Sequence, residues 1–587
     1  MSSIVSAMDK HIHNKQFGEN GHAEYAWSKE PAELVVQFFF QLVRCNSESG
    51  KKDLENKLRY LLEHLSREHE LFPILYKIIA QTRDIVDGKG EYELAFMQLR
   101  VWWDYYPELA MAAFALFVKG NANPLEHQYG SWKDVKYMCN HLKNNSDPGE
   151  SHPFINNILE FTMAELAMEW HQLTTSKDNS TPYSPGLIGR WLPREKSKKF
   201  GWVFNRLARL MFPEYVVEPQ GGWRNRDHLM KAVTKQRIQL KKMLVALSRE
   251  TDTAQIKMCN KEWSSLNFNH VTSITLRKQK NAILNKTKKG EVRSTDADRV
   301  NCAKNYQAHL QKAMSGDTSA KIHGKRCTVG ELVKDALSAP TSGAVYDTIN
   351  KQWESNRENN KALEKAPIVA MVDTSGSMEV DECVPLYNAI GLGVRVSELC
   401  HPAFRNRVMS FNSVPTWLRF DENDTPVQKI KTCRTMSWGT STNFMLAIEK
   451  ILKALVDADV PPKEVRNLIV ACFSDMQFDN HYANGNIFDT AEEKIGTMFA
   501  LAGLKTSHRR AYDPPHLLFW NLRKTNGFPS TAFSKNVTYL GGYNSALLNI
   551  FCNQGIEALR ESATPMHQLM TLLQNQRYNH MDANLLH

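Results

Sequence analysis

The five residues Asp373-Thr374-Ser375-Gly376-Ser377 put one carboxylate and two hydroxyls into a single tight turn. They follow residues 368–372 (IVAMV), a short unbroken apolar run of the kind that makes a strand buried on both faces. A second such run, 467–473 (NLIVACF), ends at Ser474-Asp475. A third loop, 439–443 (GTSTN), precedes a helical stretch and offers one more hydroxyl, from Thr440 or Thr442. Carboxylates and hydroxyls are hard oxygen donors, suited to Mg²⁺ or another octahedral divalent ion. In an open α/β sheet, ligands bind beyond the carboxyl ends of the strands, where two of these loops belong. Such a donor set leaves a coordination position open for an acidic ligand from outside. The competing reading is a Ser/Gly turn whose hydroxyls only cap a helix.

The elements that must carry these loops are legible from about residue 366 onward. The alternation runs strand, helix at about 384–399, strands at 407–412 and 416–420, helix at about 443–456 and strand at 467–473. It continues with a helix at about 488–503, strands at 517–521 and 537–540, and a helical region at about 545–576. This pattern predicts a doubly wound α/β domain with a mainly parallel sheet over 366–587. Residues 31–365 read as all-α. Leu54, Leu58, Leu61, Leu62 and Leu65 form one apolar stripe at helical spacing, and similar stripes recur at 72–80, 94–118, 154–173 and 238–247. Short breaks between them predict antiparallel helical pairs stacked as a HEAT-like solenoid, with residues 286–365 crossing back over it toward the α/β domain. Residues 1–30 are polar and lack periodicity, so they read as a tail with solvated His11, His13 and His22.

The chain of 587 residues has a net charge of +10, and that charge is concentrated. Residues 181–330 hold 30 Lys/Arg against 11 Asp/Glu, a balance of +19, so the remaining 437 residues sum to −9. A local excess of this size is a footprint for a polyphosphate partner. Trp191, Phe200, Trp202, Trp223 and Trp263 are interleaved with it, and aromatic rings beside cations can stack on unpaired bases. Ten cysteines without a C-x-x-C pair fit reduced thiols of a cytoplasmic or nuclear protein rather than a zinc or redox motif. The N-terminus has no signal-peptide core, and the longest apolar run, 109–118, is too short for a bilayer. There is no P-loop, Gly391-Leu392-Gly393 lies inside an apolar helix, and no nucleophile with a neighbouring base accompanies the motif.

The D-x-S-x-S loop with its partners resembles the metal-ion-dependent adhesion site of the von Willebrand factor A domain. The resemblance covers about 366–587 and implies that Asp373, Ser375, Ser377, Thr442 and Asp475 surround one Mg²⁺ or similar ion, which grips a partner's Glu or Asp. Where that family often has Asp after the Thr, this chain has Asn443. The whole layout resembles the TROVE architecture of the Ro ribonucleoprotein family. Arg83-Asp84 followed by Gly88-Lys89-Gly90-Glu91 carries part of that likeness. The stretches 129–134 (YGSWKD), 190–195 (RWLPRE), 438–444 (WGTSTNF) and 474–478 (SDMQF) are more similar to a group of uncharacterised TROVE-like proteins with an A domain.

This second resemblance implies a ring of helical repeats closed by the A domain. It also implies a monomer that binds structured RNA with single-stranded ends. In this sequence, Lys196, Lys198, Lys199, Arg224, Arg226, Lys241 and Lys242 are the candidate phosphate contacts. Arg83, Asp84 and Lys89 are read as fixing a loop, and Trp132 and Trp191 as core. The expectation is a non-catalytic RNA-binding protein with a metal-dependent ligand site. The alternatives are a metal-dependent protein scaffold without RNA and, below it, a metal-dependent nuclease, for which no second carboxylate-rich site is evident.

Overall fold

The computed structural model describes residues 14–120, 126–147, 149–216, 226–411, 414–436, 441–480, 489–549 and 564–585. Two compact units interleave along the chain. One is drawn from residues 1–91 and 267–579, the other from 92–266 and 580–587. The boundaries read from sequence, at 30/31 and 365/366, both fall inside the first unit.

In that unit the strands are β1 (Lys15–Phe17), β2 (Ala23–Tyr25), β3 (Ile368–Val372), β4 (Arg407–Ser410), β5 (Trp417–Arg419), β6 (Ile469–Ser474), β7 (His516–Asn521) and β8 (Val537–Gly541). The main sheet has the order β5-β4-β3-β6-β7-β8. All neighbours pair in parallel except β4 with β5. Every residue of β3, β6, β7 and β8 is buried, as their unbroken apolar runs demand. From β3 the chain builds outward through β4 and β5, then returns to β6 on the other side of β3 and builds outward again. The strand order therefore reverses between β3 and β6, and a crevice at such a switch point is where an α/β sheet binds its ligand.

The helix Val380–Leu399 packs across β3, β4 and β6. Its first residues Asp381, Glu382 and Cys383 have positive φ. Regular helix thus begins at about Val384, as the apolar periodicity indicates. Residues 286–365 are not a mere crossover. Helix Val329–Leu337, capped by a Thr328–Glu331 capping box, packs on Val380–Leu399. Cys327, Leu332, Val333, Ile349 and Trp353 belong to the same apolar core as β3 and β6. Their apolar positions are few but fall on one helix face, which suffices for burial.

Residues 14–43 also differ from the sequence reading. β1 and β2 form an antiparallel hairpin, and His22 is buried, with Nε2 3.3 Å from Glu24 Oε2. A Cβ at Gly18 would run into the His22 ring. The almost wholly apolar helix Pro31–Gln41 covers β8, and Phe40 stacks on Tyr539 with centroids 4.1 Å apart. A helix laid over the edge strand protects its open backbone groups from pairing with another chain.

The second unit is helical. Its main elements are Tyr92–Tyr105, Pro107–Val118, Lys133–Asn145, Pro153–Asp178, Gly201–Met211 and Arg226–Glu250. Tyr92–Tyr105 packs on Pro107–Val118 across the single residue Tyr106, a short connection between packed neighbours, whereas Gly201–Met211 packs on Arg226–Glu250 across the longer stretch 212–225. Among the described residues no helix is long and apolar enough to cross a membrane, and the nine cysteines are free thiols.

Candidate functional site

Parallel register sets Val372 of β3 beside Phe473 of β6. The two chains therefore leave the sheet together, and the Asp373 amide donates to the Phe473 carbonyl at 3.1 Å. Asp373 and Asp475 are both fully buried, 2% and 0% exposed. Burial, and then the neighbouring Asp475 carboxylate, push the Asp373 carboxyl up to about 7. Ser474 Oγ donates to Asp373 Oδ2 at 2.5 Å, and the Ser375 amide donates to Oδ1 at 2.9 Å. Ser375 and Ser377 hydroxyls lie 3.0 Å apart. Although Ser375 precedes the short 3₁₀ turn Gly376–Glu379, its side chain caps nothing, which removes the helix-capping reading of the motif. Gly376 is exposed and Ser377 half-buried, so the site is closed at its carboxylates and open at the serine turn.

Thr442 is buried, and among the described residues its hydroxyl has no hydrogen-bond partner. Its loop is tied to the loop that carries Asp475. Asp479 accepts from the Thr442 amide at 2.6 Å and from the Ser441 hydroxyl, while its own amide donates to the Thr442 carbonyl at 2.9 Å. Direct contacts thus join Asp373, Ser375, Ser377 and Ser474, with Asp475 acting on Asp373. Thr442 is brought in through Asp479. Thr440, the rival hydroxyl, lies outside the described residues. Among those residues no three His, Cys, Asp or Glu side chains gather as a metal cluster, so a cation here would rely on hydroxyls as much as on carboxylates.

Several participants escape a sequence reading. Asp479 lacks a motif of its own, although it falls just after the Ser474-Asp475 strand end. Arg523 follows β7 by two residues, and its Nε donates to Asp475 Oδ2 at 2.8 Å. The same guanidinium holds Glu19 of the β1–β2 turn, with Nη2 to Oε2 at 2.7 Å. The Glu19 amide donates to Gln477 Oε1 at 2.6 Å, and Asn20 donates to the Gln477 carbonyl at 2.9 Å. The N-terminal hairpin therefore clamps the Asp475 loop. A strand-end rule applied to β7 would have pointed toward the Arg523 loop; nothing in residues 1–30 points to Glu19.

The loop 84–91 is structural, as its ion-pair reading anticipates. Buried Asp84 takes Arg577 Nη2 and Nε at 2.8 and 3.0 Å and the Tyr578 hydroxyl at 3.2 Å. Lys89 Nζ donates to the Phe39 and Leu42 carbonyls at 2.5 and 2.9 Å.

Of the proposed phosphate contacts, Lys196, Lys198, Lys199, Lys241 and Lys242 are exposed in the helical unit. Arg224 and the side chain of Arg226 lie outside the described residues. Trp132 is buried against Phe161, ring centroids 6.1 Å apart. Trp191 is only half-buried, with Lys133 Nζ and Arg190 Cζ at 3.9 and 4.6 Å from its ring centroid. It is not the core residue that its size suggests.

A family model described as "Domain of unknown function (DUF7788)" matches residues 367–584, the span that carries β3 to β8 and the carboxylate crevice. The chain is also similar to an uncharacterised protein of Acanthamoeba polyphaga mimivirus, 24% identical over 574 residues that cover 96% of this chain and 87% of that one. That similarity therefore runs through the helical region as well as the α/β region.

Proposed function

We propose that the protein is a non-catalytic binding protein. Asp373, Ser375, Ser377, Thr442 and Asp475 hold a divalent cation, Mg²⁺ or a similar ion, and present it to an acidic ligand. The observation that carries this reading is Asp373, a carboxylate fully buried beside a second one and offered only hydroxyl and amide donors. Arg523 pairs with Asp475, but Asp373 is left in a dry crevice beside that carboxylate, a poor structural choice because like charges there repel. A divalent cation turns the repulsion into attraction and gives the orphaned Thr442 hydroxyl a role. The switch point between β3 and β6 supports a von Willebrand factor A-like reading of the α/β region, and with it an open coordination position for a carboxylate.

The conservative test is Thr442→Val, which removes only the hydroxyl. Titration of Mg²⁺ by calorimetry, with Mn²⁺ followed by electron paramagnetic resonance, is expected to show one ion per chain. The variant should bind about 10-fold more weakly, or about 1.4 kcal/mol. Absence of any bound ion in the unaltered protein would reject the reading.

A second reading, RNA binding in a ribonucleoprotein-like manner, is favoured by the exposure of Lys196, Lys198, Lys199, Lys241 and Lys242 within the +19 segment. Anisotropy with a structured RNA bearing a single-stranded tail should give a logarithmic salt slope near 0.7–0.9 per neutralised phosphate. The double change Lys241→Gln and Lys242→Gln should lower that slope by about 1.4–1.8. Affinity equal to that for a neutral polymer, with no slope, would exclude it.

A further inference from the structure

In the helical unit, two motifs that the metal site does not use are folded against each other. Helix Lys133–Asn145 contributes Lys133 and Lys136, and the stretch 190–199 contributes Arg190, Arg194 and Lys199, with Glu195 its one carboxylate. Lys136 Nζ is 2.8 Å from the Trp191 carbonyl. It also lies 5.8 and 6.0 Å from the Phe200 and Tyr137 ring centroids, and Lys199 Nζ lies 5.4 and 5.9 Å from the same two rings. Lys133 and Arg190 flank Trp191 as described above.

Lys136, Arg190 and Arg194 are oriented by neutral partners. Lys136 uses a carbonyl, Arg190 the Gln255 side-chain oxygen at 2.8 Å and Arg194 the Ser248 hydroxyl at 2.9 Å. Burial, then the Lys133 and Arg194 charges, push the Lys136 ammonium down to about 8. Among the described residues, Lys136, Arg190, Arg194 and Lys199 have no carboxylate in salt-bridge contact. The rings attract Lys133, Lys136, Arg190 and Lys199 but neutralise none of their charge, so the cluster keeps a concentrated positive field that is complementary to an anion from outside the chain.

We propose that Lys133, Lys136, Arg190, Arg194 and Lys199, framed by Trp191, Tyr137 and Phe200, form a discrete binding site for a phosphate-bearing ligand. Its chemistry is a dense anion, such as a polyphosphate chain or a terminal phosphate. The aromatic frame offers an adjoining base a surface to stack on. The site uses none of the metal-crevice residues and shares only Lys199 with the lysine surface of the RNA reading.

The test is calorimetry on the full chain at low salt with tripolyphosphate, ATP, and one RNA oligonucleotide with either a 5′-phosphate or a 5′-hydroxyl. Tripolyphosphate is expected to bind 1:1. The paired change Lys136→Gln and Arg194→Gln should weaken it at least 10-fold, while Lys288→Gln with Lys289→Gln, two exposed lysines of the +19 segment outside the site, leaves it unchanged. Without ligand, the Lys136/Arg194 variant should melt no lower than the unaltered protein, because its cations repel. Tighter binding of ATP than of tripolyphosphate would identify the source as a free nucleotide. A preference for the 5′-phosphorylated RNA over its hydroxyl counterpart would identify it as a nucleic-acid end. Absence of binding by tripolyphosphate, ATP and the phosphorylated RNA would overturn the proposal. So would an equal loss in the Lys288/Lys289 variant, which would mark diffuse attraction rather than a site.

Discussion

Asp475→Ala is expected to weaken divalent-cation binding by at least about 100-fold, or about 2.7 kcal/mol, whereas Arg523→Gln should tighten it. Asp475 is fully buried at the end of β6 and supplies one of the crevice's two carboxylates. Arg523 places a positive charge 2.8 Å from Asp475, where it competes with a cation for the same oxygen. Removing that charge should raise affinity about 10-fold, on the order of one charge–charge interaction at a half-solvated site. The opposite signs make the pair of variants diagnostic. A carboxylate that serves only to anchor Arg523 would give no metal dependence in either variant.

The same crevice sets a pH dependence. The Asp373 carboxyl, pushed up to about 7 in the folded protein, has an unfolded value near 3.9. Between these values the folded state binds more protons than the unfolded one, so without metal this group's contribution to stability falls as pH rises from about 4 to about 7. Asp373→Asn should flatten that limb and melt higher than the unaltered protein at pH 8 in chelator. Saturating Mg²⁺ should reverse the order, because the ion stabilises only the chain that keeps both carboxylates. Melting curves at pH 5 and pH 8, with and without Mg²⁺, read both effects.

Asp84→Ala is expected to cost about 3–5 kcal/mol, the usual penalty for leaving a buried charge without its partner. Asp84 is 0% exposed. It receives Arg577 twice, the Tyr578 hydroxyl, and the Val86 and Asp87 amides at 2.9 and 3.3 Å. Its loss removes the two short hydrogen bonds of Arg577, leaving Asp87 at 3.7 Å, and takes the acceptor from two backbone amides at once. Urea unfolding should show the lowered midpoint. Combining Asp84→Ala with Arg577→Met should recover part of the loss, because the cation disappears with its partner. If the double variant were less stable than the sum of the single ones, the ion pair would not be the source of the effect. The experiment also separates the two roles of the Arg83–Glu91 motif, since a loop that served only a ligand would unfold normally without Asp84.

Much of the α/β region is written in its own sequence. β3 and β6 are unbroken apolar runs bounded by loops, and burial on both faces of a parallel sheet requires such runs. Because ligands collect at the carboxyl ends of such strands, the order of residues alone puts Asp373 and Asp475 in candidate positions. Local chemistry also indicated the helix after the serine turn and strands at 407–412 and 517–521, which the structure places at Arg407–Ser410 and His516–Asn521. The loop of Asp84 and Lys89 was legible as a structural, ion-paired turn, but not its partners: Asp84 pairs with Arg577, and Lys89 donates to the Phe39 and Leu42 carbonyls.

The tertiary structure alone decided what closes around those positions. Hairpin β1–β2 reads as a tail because each strand has three residues, too few for a periodic signal, and its stability comes from contacts more than 450 residues away. Helix Pro31–Gln41 carries apolar residues all round, which says that it is buried but not that it covers β8. Glu19 and Arg523 are ordinary surface residues in sequence and become neighbours of Asp475 only through strand order. Trp191 reads as core by size, yet Lys133 and Arg190 flank it because two separate helical elements converge there. Composition and periodicity record what each residue needs from its local surroundings; which distant residue meets that need is set by the register and packing of the whole chain.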